Sequence, residues 1–319
     1  MLVDGKWSKD FHPVQGVDEQ GGFVRKPSSF RNQIGQQDFL AEKNRYHLFV
    51  AYICPWACRT LAVRSLKGLE DIISVSVVEP QLTEKGWKFG TYPGASGPDT
   101  ILNATYMHEI YAKADKDYTG RATVPVLWDK TNETIVNNES SEIIKMLNDG
   151  FNDLLDEEKA KVNLYPEHLK KEIEELNDWM YPRINNGVYK TGFATTQIAY
   201  EEACSSLFEA LEELEIRLNS KSPYLFDEHL TLSDIHLFMT LIRFDLAYYG
   251  LFKANLNHIW DYPNLSAYMK RLYEIPAIKN TVNSDHIKQG YYSIKALNPT
   301  GIVPNGPRNI MKEYNQGMS

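Results

Sequence analysis

Cys54-Pro55-Trp56-Ala57 is the segment of this chain whose residue types and spacing can do chemistry. It follows an apolar, strand-like run at residues 46–51, Tyr-His-Leu-Phe-Val-Ala. Pro55 then opens a helix, because its fixed φ and missing N–H suit the first helical position. Cys54 falls at the helix N-cap, where unpaired backbone N–H groups and the positive end of the helix dipole favour a thiolate over a thiol. A thiolate is the nucleophile of sulfur chemistry. In a dithiol redox motif the second cysteine comes three positions on, and here that position is Ala57. The arrangement points to a lone thiol that makes mixed disulfides with a small thiol. A buried structural cysteine is the alternative, since free cysteines are among the most buried residues, and four residues leave both readings open. Cys58 shares a helix face with Cys54, as packing or as a disulfide partner under oxidation. Two sulfurs are too few for a structural zinc, and no Cys or His pair of ligand spacing stands nearby, so no metal is expected.

The elements that must hold this thiol alternate strand and helix. After the first strand and the Pro55 helix come a strand at 72–78, a helix near 104–114, paired strands at 123–128 and 133–136, and a helix at 139–147. A βαβ unit followed by a ββα unit predicts a thioredoxin-like layer structure over residues 46–150. A glycine- and proline-rich insert at 79–103 interrupts it and carries Trp87. Loops this long are usually functional or disordered. The insert's glycine spacing fits no nucleotide fingerprint, and the chain has no P-loop. Residues 1–45 show no sustained period and read as an arm lying on the body. After an acidic linker at 152–161, residues 162–295 read as an all-helical domain and 296–319 as a C-terminal tail. Cys204 sits in an apolar stripe with Leu207, Leu211, Leu214 and Leu218 and is expected to be buried and inert. Thr231-Leu232-Ser233-Asp234 reads as a capping box that opens an apolar helix at 235–249. His236, Arg243 and Asp245 within that helix read as buried polar groups that satisfy one another rather than as catalysts.

Two domains suit a chain of 319 residues. A net charge of −8 offers no basic footprint for nucleic acid or an anionic membrane, which leaves a small molecule or another protein as partner. Three cysteines make no disulfide framework, the amino terminus lacks a signal-like apolar core, and no run is long enough to span a bilayer. The expected location is cytoplasmic.

A thioredoxin-like domain with an N-terminal thiol, followed by a helical domain whose central helix opens on a capping box, resembles the cytosolic glutathione transferase superfamily. The ordered blocks Cys54-Pro55-Trp56-Ala57, Gly86-Trp87, Arg121-Ala122-Thr123-Val124-Pro125-Val126-Leu127-Trp128-Asp129, Asn138-Glu139-Ser140-Ser141-Glu142-Ile143, Asn186-Gly187-Val188-Tyr189 and Asn298-Pro299-Thr300-Gly301-Ile302-Val303-Pro304 narrow it. Together they are similar to the glutathionyl-hydroquinone reductases, the Xi class. The resemblance implies glutathione as co-substrate, quinone-derived substrates and a homodimer. It gives Val124 a backbone pairing with glutathione ahead of a cis Pro125. It assigns Ser140 to the γ-glutamyl carboxylate and Glu139 to the ammonium, and it places Trp87 and Arg121 in the walls of the same site. Cys54 would take glutathione from a glutathionyl-hydroquinone. Tyr189 and one of Tyr291 or Tyr292, from the helical domain, would hydrogen-bond the ring oxygens and help deliver a proton. Relatives usually carry histidine where this chain has Gly290, and a polar residue where it has Cys58. The nearest alternative is an omega-like thioltransferase or dehydroascorbate reductase; a noncatalytic binding module of the same fold belongs to a different class.

Overall fold

The computed structural model describes residues 1–8, 16–36, 38–218 and 222–307. These divide into two units. The first draws on residues 1–8, most of 27–163, and 283–293; the second holds residues 16–26, most of 164–282, and 294–307.

The first unit contains a small hairpin, β1 (Leu2–Val3) with β2 (Lys6–Trp7), and a four-stranded sheet. The sheet is made of β3 (Tyr46–Val50), β4 (Ser74–Val77), β5 (Val126–Asp129) and β6 (Thr134–Asn137) in the order β4-β3-β5-β6. β3 runs parallel to β4, with His47 opposite Ser74, and antiparallel to β5, with Phe49 opposite Val126. All five residues of β3 are buried, as expected of a strand covered on both faces. Helices α1 (Pro55–Leu66), α2 (Met107–Ala114) and α3 (Ser140–Asp149) cover the sheet, α1 packing against α3. This is the thioredoxin-like layer structure that the alternation of elements predicts.

Boundaries shift where local chemistry dictates. The helix expected from 104 starts at Met107, because the Asp99 carboxylate accepts from the N–H groups of Ile101, Leu102 and Ala104 and holds them in a loop. The strand expected from 133 starts at Thr134, after Glu133 turns the chain at a φ of 47°. The linker at 152–161 folds its second half into α4 (Glu157–Lys161), capped by the Asp156 carboxylate. The arm is shared between the two units. In the first unit, Asn32 N–H donates to Val136 O and Arg31 bridges Asn137, so this stretch covers the otherwise open edge of β6.

The second unit is helical: α5 (Lys170–Met180), α6 (Gly187–Phe193), α7 (Gln197–Arg217), α8 (Leu232–Arg243), α9 (Tyr249–Leu251), α10 (Pro263–Glu274) and α11 (Pro276–Lys279). Every residue of α8 is buried. Its capping box is present, with Asp234 accepting from the backbone N–H and hydroxyl of Thr231. Cys204, Leu207, Leu211, Leu214 and Leu218 are all buried, as their spacing predicts. Between α5 and α6, Tyr181–Asn185 widens into a π turn around Pro182, which has no N–H to give the α ladder. Its last residue donates Asn185 Nδ2 to His236 O and Thr240 Oγ1, which ties this turn to α8. His236, Arg243 and Asp245 are all buried, as expected of polar groups within this helical core. Arg243 donates to Met239 O within its own helix, and Asp245 accepts from His258 and from the Ile259 N–H.

The helix Ser284–Tyr292, expected inside the helical domain, belongs to the first unit. His286 bonds Pro93 O through Nε2 at 2.8 Å, its ring edge-on to both Tyr52 and Tyr92, and Tyr92 donates to Asp285 at 2.7 Å. This helix is therefore clasped to the insert, a long-range packing that helical periodicity does not encode. The tail beyond residue 307 lies outside the described residues.

Candidate active site

Cys54 is the N-cap of α1, in extended backbone conformation, with its side chain half-buried. Its sulfur accepts from Ala57 N–H at 3.4 Å, and its thiol donates to Val124 O at 3.4 Å. The first turn of α1 carries no acidic residue, so the helix start itself places no carboxylate against a negative charge on this sulfur. Cys58 is fully buried and donates to the carbonyl of Tyr52 at 3.4 Å, which makes it part of the packing under the turn. Cys204 is buried in the second unit, where burial pushes its thiol above the ordinary value.

Opposite the sulfur, the Val124-Pro125 peptide is cis. The Tyr111 hydroxyl holds this segment one residue earlier, donating to Thr123 O at 3.0 Å. Glu139 is the N-cap of α3, and its carboxylate accepts from the N–H and hydroxyl of Ser141 and from Ser28 Oγ at 3.0 Å. One helix-end donor is thus occupied by the protein itself, and Ser28 is a contributor that the sequence reading missed. Ser140 Oγ is buried and has no hydrogen-bond partner in the protein. A buried hydroxyl left unmatched costs free energy and calls for an acceptor.

Trp87 is half-buried in a turn of the insert, its carbonyl accepting from Met107 N–H at 3.0 Å. Gly86 enters this turn at a φ of 84°, the left-handed region that favours glycine. Arg121 is half-buried; Tyr118 donates to its carbonyl. Burial and then the Arg121 charge lower the amino-terminal ammonium below its ordinary value.

Tyr291 is buried and Tyr292 retains some exposure; burial raises the Tyr292 phenol above its ordinary value. Gly290, the residue before this pair, packs against Ile53, the residue before the nucleophile. A Cβ at Gly290 would come within 2.5 Å of the Ile53 side chain and 2.7 Å of Pro80 O. This contact gives a physical reason for glycine at position 290. Gly290→Ala is expected to lose about 1–3 kcal/mol of stability by overpacking, since a backbone carbonyl cannot swing aside. Urea denaturation of the variant checks this, and an unchanged midpoint would show that the Ser284–Tyr292 helix can move away freely.

Tyr189 belongs to the second unit, in an aromatic cluster with Phe23, Phe193, Tyr248 and Phe252. The Arg25 guanidinium lies 4.9 Å from its ring centroid and donates to Asn186 Oδ1 at 2.9 Å. Phe23 and Arg25 come from the arm, whose contribution here carried no periodic signal in the sequence. Cys54, Trp87, Arg121, Val124, Pro125, Glu139, Ser140, Tyr291 and Tyr292 all belong to the first unit, and Tyr189 belongs to the second. No group of three or more His, Cys, Asp or Glu among the described residues could hold a metal ion.

Residues 53–149 match the family model of the glutathione S-transferase N-terminal domain, and residues 197–271 match that of the C-terminal domain. The chain is 47% identical to the glutathionyl-hydroquinone reductase YqjG of Escherichia coli (strain K12), over 98% of this chain and 97% of that protein. The crystal structure of the glutathione-S-transferase Xi from Phanerochaete chrysosporium is similar at a TM-score of 0.89 and 53% identity, covering 92% of this chain and 95% of that one. The glutathione-bound structure of YqjG is similar at a TM-score of 0.87 and 44% identity, covering 97% and 96%. Matches to both domain models, and full-length likeness at this level of identity, settle the kinship: the chain belongs to the glutathione transferase superfamily, in the Xi class of glutathionyl-hydroquinone reductases.

Proposed function

We propose that this protein reduces S-glutathionyl-hydroquinones to hydroquinones at the expense of glutathione. The observation that carries the reading is Cys54, a half-buried N-cap thiol with the Ala57 N–H on its sulfur and the Val124 carbonyl facing it. In the first step the Cys54 thiolate attacks the glutathione sulfur of the substrate thioether. The new S–S bond joins Cys54 to glutathione, the C–S bond breaks, and its electron pair leaves with the ring carbon, which takes up a proton as hydroquinone forms. A second glutathione thiolate then attacks the mixed disulfide, releasing oxidised glutathione and the Cys54 thiolate. Covalent catalysis of this type gives ping-pong kinetics.

The ring carbon is the poor leaving group of the first step. Tyr189, with Tyr291 or Tyr292, is assigned to hydrogen-bond the ring oxygens and help supply that proton. Glutathione fits the first unit through Val124 for its cysteinyl backbone, Ser140 Oγ for its γ-glutamyl carboxylate and Glu139 for its ammonium, with Trp87 and Arg121 as walls. The unmatched buried hydroxyl of Ser140 supports this fit. A homodimer and a cytoplasmic location belong to the same proposal, and analytical ultracentrifugation tests the former. No helix among the described residues is long and apolar enough to cross a membrane.

Turnover of a glutathionyl-hydroquinone with glutathione, followed by the release of hydroquinone and oxidised glutathione, tests the function. Reduction of glutathione mixed disulfides without any hydroquinone release would give the omega-like thioltransferase reading the lead. Ser140→Ala is expected to weaken glutathione binding by about 1.5–3 kcal/mol, the worth of a hydrogen bond to a charged group, and to leave the fold intact. Calorimetric titration decides it, and an unchanged affinity would place the γ-glutamyl group elsewhere.

A further inference from the structure

Two segments of the proposed glutathione site, 123–125 and 138–140, lie on different elements, and one buried side chain joins them. Tyr111, on α2, is fully buried. Its hydroxyl donates to Thr123 O at 3.0 Å, lies 3.2 Å from Thr123 Oγ1, and accepts from Asn138 Nδ2 at 3.1 Å. Thr123 directly precedes Val124, whose carbonyl faces the Cys54 thiol, and Asn138 directly precedes Glu139, the N-cap of α3. Asn138 is in turn fixed by the arm: its Oδ1 accepts from Phe30 N–H, and its own N–H donates to Phe30 O. The Phe30 ring packs edge-on to Tyr111 at 5.9 Å. Burial raises the Tyr111 phenol far above its ordinary value, so the hydroxyl remains a donor throughout the working pH range.

We infer that Tyr111 is a positioning residue for glutathione: its hydroxyl sets the spacing between the Val124 backbone and the Glu139-Ser140 helix start, the two places that must hold opposite ends of the γ-glutamyl-cysteinyl unit. It touches no ligand. A bound tripeptide that must reach both segments pays for any drift between them in affinity. The Ala57 N–H that faces the Cys54 sulfur belongs to α1 itself, and the Val124 carbonyl accepts only from the protonated thiol, so drift of the Val124 segment does not destabilise the reactive thiolate. The inference rests on the glutathione-site reading given above.

Tyr111→Phe removes only the hydroxyl and keeps the ring against Phe30. The expected result is about a tenfold rise in the glutathione Kd by calorimetry and in KM for glutathione, with kcat within about twofold. The rate at which iodoacetamide labels Cys54 is expected to stay within about twofold of wild type. Asn138→Ala is expected to weaken binding similarly, and the double variant to lose less than the product of the two, since both substitutions break one link. An unchanged Kd in Tyr111→Phe, or a Cys54 labelling rate that falls along with affinity, would overturn the inference. Failure of wild-type protein to bind glutathione would instead overturn the site reading beneath it.

Discussion

Tyr189→Phe is expected to slow hydroquinone release by about 10²–10⁴-fold while leaving reduction of a simple glutathione mixed disulfide near the wild-type rate, whereas Cys54→Ala is expected to abolish both. The difference lies in the leaving groups. A mixed disulfide expels a sulfur anion that is stable without protonation. A glutathionyl-hydroquinone expels a ring carbon, whose charge must be accommodated through the neighbouring oxygen and quenched by a proton. A phenol in hydrogen-bond reach of that oxygen lowers only the second barrier. In the proposed mechanism Cys54 is the nucleophile in both reactions, so its loss would not discriminate. The quantity to measure is kcat/KM for each substrate in wild type and in both variants, read as differential stabilisation of two transition states. Equal losses on both substrates in Tyr189→Phe would mean that Tyr189 supports the aromatic cluster in general, and no loss would remove it from the chemistry.

The largest stability effect is expected at Asp234. Its carboxylate is fully buried and accepts four hydrogen bonds, from the N–H groups of Leu225 and Thr231 and from the hydroxyls of Thr231 and Tyr268. Burial raises its pKa while these donors lower it. Asp234→Ala removes the capping box and leaves four buried donors unmatched at the entrance to α8, a helix with no exposed face. A loss of about 3–5 kcal/mol is expected, several times the cost of an ordinary surface cap. Urea denaturation is the measurement. A loss below about 1 kcal/mol would mean that the surrounding chain can reorganise to recover those bonds.

Features set by a few neighbouring residues were legible in the sequence. Pro55 and the apolar run before it placed Cys54 at a helix start, and the structure has it as the N-cap. Thr231 and Asp234 announced their capping box, and the leucine spacing around Cys204 announced a buried stripe. The layer order of the first unit followed from the alternation of strand and helix, and the Val124-Pro125 peptide is cis as the resemblance implied. What was not legible depends on contacts between segments far apart in the chain. The arm has no period of its own, so nothing local says that Ser28 bonds Glu139 or that Arg25 lies over Tyr189. The helix Ser284–Tyr292 reads like any other amphipathic helix, and long-range contacts such as His286 on Pro93 and Gly290 on Ile53 tie it to the first unit. For Tyr111 a signal did exist: a tyrosine at core spacing with Met107 and Ile110 must find a partner for its hydroxyl, although its identity could not be read from sequence.

The proposed chemistry turns on Cys54 carrying glutathione as a mixed disulfide. The most direct test is intact-protein mass spectrometry with peptide mapping after incubation with oxidised glutathione. One glutathione adduct per chain is expected, on Cys54, and free glutathione removes it. An adduct on Cys58 or Cys204, or none on Cys54, would contradict it.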